Sequence, residues 1–337
     1  MPLMRGARSE LLPSAAIACV AATWGAYWLP LRHIDGLGLP GAWATFIMVL
    51  FATLALLPGQ IVRWRRLANG GWPLLLSGML AGTAFILYSN SYAFTSIVNV
   101  LFLFYISPVW STLMARVFLG ERISPIRIGA ILAAFAGLAV FLGGSGDWPI
   151  PRNVGDWMTL SSGILWSLAT IVIRKYQGPD SDAARQINGP GAYENTFLFF
   201  GGGLIGALVV PFLFLPDPTG ALPPVADFGP YLPWLVGLAL LWWVPTQFML
   251  MWGVPKVSPG RVGILLMAEA LFGSFTAALF SDEPFGLRQI TGGLLILGAA
   301  TVDTLVVRSE IAPDRRNAFN RRPDSDRAGF NAEGGTT

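Results

Sequence analysis

Ten apolar stretches, each near the length that crosses a hydrocarbon core, follow one another along the chain. They cover residues 14–31, 41–57, 72–94, 98–119, 127–143, 157–173, 196–214, 231–253, 261–280 and 289–307. A short charged hinge, Gly120-Glu121-Arg122, joins the fourth to the fifth, and Asp282-Glu283 joins the ninth to the tenth. At a constant offset of 162 residues, Glu121 falls on Glu283, Ile128 on Ile290 and Ser107-Pro108 on Glu269-Ala270. A helix–hinge–helix unit that recurs in so apolar a chain predicts an all-α integral membrane protein: ten transmembrane helices in two inverted five-helix repeats.

The polar positions between the stretches predict the orientation. With the N-terminus inside, nineteen of the 22 Lys and Arg fall in inner segments, and only Arg32, Arg152 and Arg288 fall outside. The outer segments also carry Asp35, Asp147, Asp156, Asp217, Asp227, Asp282 and Glu283. Basic residues gather in cytoplasmic loops, so both termini are expected inside. An odd number of spans per half then inverts the second half relative to the first. The expected organisation is an N-terminal segment over 1–13, a first repeat over 14–144 and a periplasmic linker over 145–156. A second repeat over 157–307 and a disordered cytoplasmic tail over 308–337 follow. The Gly- and Pro-rich loop 176–193 is expected to be flexible.

Composition narrows the function classes. Hydrophobic residues make up 54% and charged residues 12%, half the charge of a soluble domain at about 25%. A soluble globular enzyme is thereby excluded. A single cysteine, Cys19, allows no internal disulfide, and the lone His33 cannot by itself build a metal site or a triad. The pI near 9.2 comes from inner-loop arginines and needs no nucleic-acid partner. Neither G-x-S-x-G, H-E-x-x-H nor a nucleotide-binding loop is present, so no catalysis, no cofactor and no direct drive by ATP is expected.

Several short motifs recur in order. The first stretch holds Trp24-Gly25 with Arg32 eight residues after the Trp, and the sixth repeats this as Trp166-Ser167 with Arg174. Around the fourth lie Ser91-Tyr92-Ala93-Phe94-Thr95-Ser96, Ser107-Pro108-Val109, Gly120-Glu121-Arg122 and Gly129; the ninth gives Ala268-Glu269-Ala270, then Asp282-Glu283, Gln289 and Gly292. This set resembles the drug/metabolite transporter superfamily in its ten-span EamA-type branch, over nearly all of 14–307. The branch commonly has Leu-Glu-Pro in the ninth span, and here Ala270 stands where the proline would. The resemblance implies a secondary transporter, an exporter by expectation, of small organic metabolites such as amino acids. It would work by alternating access in the inner (plasma) membrane, as a monomer or homodimer. Its partners would be a small-molecule solute and the lipid bilayer. A non-transporting membrane scaffold or sensor is the alternative.

By the same resemblance, spans one, three, four, six, eight and nine surround a central cavity. Trp24, Tyr88, Asn99, Trp243, Gln247 and Glu269 are the candidates for its substrate-binding lining. Glu269 lies about 12 Å into the ninth span, where a charged carboxylate costs about 2.5–3.5 kcal/mol. It is the candidate for proton coupling or for binding a substrate amine; the alternative is a Glu that satisfies backbone groups at a helix break. Asp303 is expected to reach the interface or Arg308. Asn and Gln within a span should point inward, since lipid offers their amides no partner. Gly78/Gly82, Gly202/Gly206 and Gly129/Ala133/Gly137 form small-residue ladders expected at close helix contacts. Pro30, Pro108 and Pro245 are expected sites of bends.

Overall fold

Each apolar stretch folds as helix, because only a helix satisfies every backbone group within its own segment in lipid. The computed structural model describes residues 3–27, 29–30, 33, 41–92, 94–142, 150–214, 229–280 and 286–319, and no strand occurs among them. The main helices are α1 (Leu3–Gly25), α2 (Gly41–Val62), α3 (Trp64–Ser91), α4 (Ile97–Phe104), α5 (Ser107–Met114), α6 (Pro125–Leu142) and α7 (Val154–Gln177). They continue as α8 (Ala192–Phe214), α9 (Leu232–Gly237), α10 (Val244–Gly253), α11 (Pro259–Leu266), α12 (Ala268–Phe280) and α13 (Leu287–Phe319). Seven helical runs among the described residues are long and apolar enough to cross a membrane. The expected first, seventh and tenth spans are helical as well, within α1, α8 and α13.

The fourth stretch is not the single helix its apolar run predicts. It breaks at Tyr105-Ile106 between α4 and α5, and a π-helical turn over Ala115–Leu119 ends it. Pro108 is the cause: it has no N–H to give the carbonyl of Phe104 four residues back. Pro245 acts similarly in the eighth stretch, where a π-helical segment over Leu238–Trp243 precedes α10. The ninth stretch breaks at Met267 between α11 and α12 without any proline. The two broken helices correspond residue for residue. Ser96 and Ser258, both extended, precede α4 and α11, and Tyr105 and Met267 follow them, each pair 162 residues apart.

Backbone proximity fixes the helix pairs. On α3, a side chain at Gly78 would run into Leu198 and one at Gly82 into Gly203 and Phe199 of α8; Gly202 faces Gly78 in return. Gly137 of α6 and Gly292 of α13 meet carbonyl to Cα in the same way. Gly129 has open space beside it and belongs to no close contact, so that ladder begins at Ala133. Helix α1 packs on α10, α11 and α12, while α7 packs on α3, α4 and α5. Further pairs are α2 with α8, α3 with α8, α5 with α11, and α6 with α13.

Loop 176–193 carries a short helix, Asp182–Arg185. It is tied down by Asn69 Nδ2 on the carbonyl of Asn188 (3.0 Å) and by Glu194, which accepts from Gly191 N and pairs with Arg63 (2.7 Å). The linker expected over 145–156 lies outside the described residues as far as 149, and α7 already takes in its last three. Helix α13 runs on to Phe319, past the expected start of disorder at 308. Once a packed segment has nucleated a helix, each further residue adds a hydrogen bond at little cost. The rest of the tail is outside the described residues, as are Arg32 and Asp282-Glu283.

Candidate functional site

The two helix breaks touch, and Glu269 sits between them. The Ala270 N–H turns to the carbonyl of Met267 (3.2 Å) rather than to Leu266. The Leu266 carbonyl is thereby freed, and the Tyr105 hydroxyl at the other break reaches it (3.1 Å). The same hydroxyl lies 2.9 Å from Glu269 Oε2, and Tyr88 Oη donates to Glu269 Oε1 at 3.4 Å. Tyr92 Oη donates to Tyr88 Oη at 2.8 Å. Glu269 occupies the first turn of α12, where the unpaired N–H groups and the helix dipole favour a negative charge. A rearranged backbone hydrogen bond therefore does what a proline does elsewhere. Ala270→Pro should lose that single bond and change stability by under about 1 kcal/mol. Tyr105→Phe strands the buried Leu266 carbonyl and should cost about 1–3 kcal/mol in a detergent unfolding measurement.

An aromatic cluster adjoins the carboxylate. Tyr88 and Tyr105 both pack on Phe104, with ring centroids 4.5 and 5.4 Å apart. One turn along α3, Phe85 meets Trp243 edge-on at 4.6 Å. Trp243 also contacts Trp24 (5.5 Å) and Tyr27 (5.0 Å), and Tyr27 contacts Trp242. Trp24 Nε1 donates to Thr246 Oγ1 (3.1 Å). Close packing brings α1 here: a Cβ at Gly25 would stand 2.5 Å from the Glu269 carbonyl oxygen. Gln247 is fully buried, and both its amide atoms lack a partner among the described residues; so do the indole nitrogens of Trp242 and Trp243.

Of the six residues singled out by sequence, Trp24, Tyr88, Trp243 and Glu269 thus come together. Gln247 lies on the same helix as Trp243, one turn on. Asn99 does not join them. Its Nδ2 donates to Asp156 Oδ1 (3.2 Å), with Thr95 on the same oxygen and Arg152 N on Oδ2. Asn99 therefore clasps the loop between α3 and α4 to the start of α7. Tyr27 and Phe85 were not legible as members, since one aromatic among 12% carries no signal of its neighbours.

A second polar group closes one end of the bundle. Asp303 is fully buried, yet its carboxylate accepts from Arg127 Nε (3.3 Å) and Arg261 Nε (3.2 Å). It does not extend to Arg308 or the interface, because two nearer guanidinium groups claim both oxygens. Arg127 also reaches Glu121 (3.3 Å) and Ser258 (3.0 Å), and Arg261 reaches Glu10 (2.7 Å). Five helices or their connections are joined by this cluster. Just above it α5 and α11 cross closely, with Gly263 against Pro108 and Gly260 against Thr112.

Residues 12–143 match the sequence profile of the EamA-like transporter family. No curated protein matches the chain. One solved structure, described only as the crystal structure of a protein, superposes with a TM-score of 0.63 at 17% identity, over 88% of this chain and 98% of the other. At that identity the likeness concerns the fold alone.

Proposed function

We propose that this chain, a member of the EamA-like transporter family within the drug/metabolite transporter superfamily, moves small organic solutes by alternating access. The observation that carries the reading is the pair of helix breaks at Tyr105 and Met267, 162 residues apart, with Glu269 between them. Irregular backbone at membrane depth is tolerated where it is buried in protein or lines a cavity, and broken helices in two halves mark transporter sites. The packing adds support. Number the ten stretches in order and exchange each with the one five places on. The pair formed by α1 and α12 becomes that of α7 and α5; α1 with α10 becomes α7 with α3; α6 with α13 is unchanged. A bundle whose contacts survive this exchange suits two inverted halves that rock about a shared site.

With both termini inside, the Arg127–Asp303–Arg261 cluster lies at the cytoplasmic end and holds that end shut. Glu269 then lies on the path between the closed end and the membrane exterior, as a site for proton exchange or solute. Export is the favoured direction. The test is counterflow in proteoliposomes against a panel of amines, amino acids, nucleosides and organic acids. At least one labelled solute should exchange faster than in protein-free vesicles, and a pH gradient should drive its accumulation in wild type but not in Glu269→Gln. No exchange of any class by well-folded protein would overturn the transporter reading. Accumulation unchanged in Glu269→Gln would overturn proton coupling alone.

A further inference from the structure

We propose that the Glu269 site selects organic cations, namely amines or quaternary ammonium compounds with an apolar body, over amino acids and organic anions. This rests on the transporter reading and names its substrate class. The hydrogen bonds that reach the Glu269 carboxylate come from two tyrosine hydroxyls, and none of the ion pairs formed among the described residues includes it. An ionised carboxylate accepts about four hydrogen bonds. The two tyrosines leave it capacity and a full negative charge that a ligand can meet.

The surroundings fit the same class. Tyr88, Tyr105 and Phe104 pack beside the carboxylate, and Phe85, Trp243 and Trp24 continue the aromatic surface from it. Ring faces are negative, so they attract a cation and repel an anion, most strongly where water is excluded. An amino acid would bring its own carboxylate toward Glu269 and these faces. An amine with an apolar body would place its charge at Glu269 and its body along the rings. The unpartnered Gln247 amide and the Trp242 and Trp243 indole N–H groups, all buried, offer donors to a polar atom on that body. Gln247 also offers an acceptor.

The experiment compares four probes of one shape on the purified full-length protein: benzylamine, benzyltrimethylammonium, L-phenylalanine and benzoate. Binding is followed by thermal shift and flux in proteoliposomes. The two cations should stabilise wild type, compete with each other and cross the membrane; phenylalanine and benzoate should do neither. Glu269→Gln should weaken the cations about tenfold or more, as loss of a buried charge partner does. Trp243→Leu should weaken benzyltrimethylammonium by several-fold through the lost ring face. The wild-type comparison decides even where a variant fails to fold. Equal stabilisation by phenylalanine or benzoate, or unchanged cation affinity in a folded Glu269→Gln, would overturn the proposal. Flux of phenylalanine without the cations would do so too, while leaving the transporter reading standing. Glu269-dependent cation binding without flux of any solute would support the cation site and overturn transport.

Discussion

Replacing Asp303 by Asn should destabilise the protein by about 3–5 kcal/mol, the usual cost of stripping one partner from a buried ion cluster. The carboxylate is fully buried and bridges Arg127 to Arg261, themselves only 5% and 1% exposed. Without it two guanidinium groups face each other in low dielectric. Glu10 and Glu121 cannot take over, because each reaches a single arginine from the rim. In detergent the unfolding midpoint should fall on the order of 10 °C. Glu121→Gln, at the exposed edge of the same cluster, should change stability by at most about 1 kcal/mol. A triple replacement of Arg127, Arg261 and Asp303 by apolar residues of similar volume should recover much of the loss, since well-packed apolar groups often replace a buried ion triad at no cost. An Asp303→Asn protein within about 1 kcal/mol of wild type would sink the idea that this cluster holds the bundle end together.

A disulfide introduced by the paired substitutions Thr112→Cys and Gly260→Cys should stop transport when oxidised and release it when reduced. A Cβ built on Gly260 stands 3.7 Å from the Thr112 Cβ, inside the span of about 3.5–4.5 Å that a disulfide bridges. The atom that would crowd the new side chain, Thr112 Oγ1 at 2.5 Å, is removed by the substitution, and it has no hydrogen-bond partner to lose among the described residues. Cys19, exposed in α1, is replaced by Ser beforehand. The bond would tie α5 to α11 beside the ion cluster, where the two broken helices cross. Alternating access requires this crossing to part, so oxidised protein should lose flux almost completely and regain it with reductant. Undiminished flux in fully cross-linked protein would mean that the crossing stays closed throughout transport. The two experiments read separate steps: Asp303 tests what keeps this end closed, and the disulfide tests whether it must open.

Much of the architecture was legible because lipid makes the sequence speak plainly. A segment in hydrocarbon has to satisfy its backbone internally and cover itself with apolar side chains, so ten apolar runs became ten helical stretches within small errors at their ends. The offset of 162 was legible too, and it aligned not just Ser107 with Glu269 but the caps and breaks of α4 and α11. Pro108 announced its break by a missing N–H. The break at Met267 had no such letter; it depends on Ala270 choosing one carbonyl over another and on the Tyr105 hydroxyl donating to the one released. Gly129 read like Gly137 on paper, yet only the latter meets another backbone, because helix rotation decides which small residue faces a neighbour.

The polar sites divide in the same way. Sequence alone determined that a carboxylate at position 269 sits deep in an apolar helix, since depth follows from counting residues at about 1.5 Å each. It also determined the aromatic and amide residues from which a site could be assembled. The tertiary structure decided their company. It put Asn99 with Asp156 rather than with Glu269, and brought Phe85 and Tyr27 to Trp243. It paired Asp303 with Arg127, 176 residues away, instead of Arg308, five residues on. Local rules reach only as far as a few turns of one helix; a hydrogen bond or ring contact between helices depends on their rotation and crossing, which here are set by glycine backbones in contact and are invisible one residue at a time.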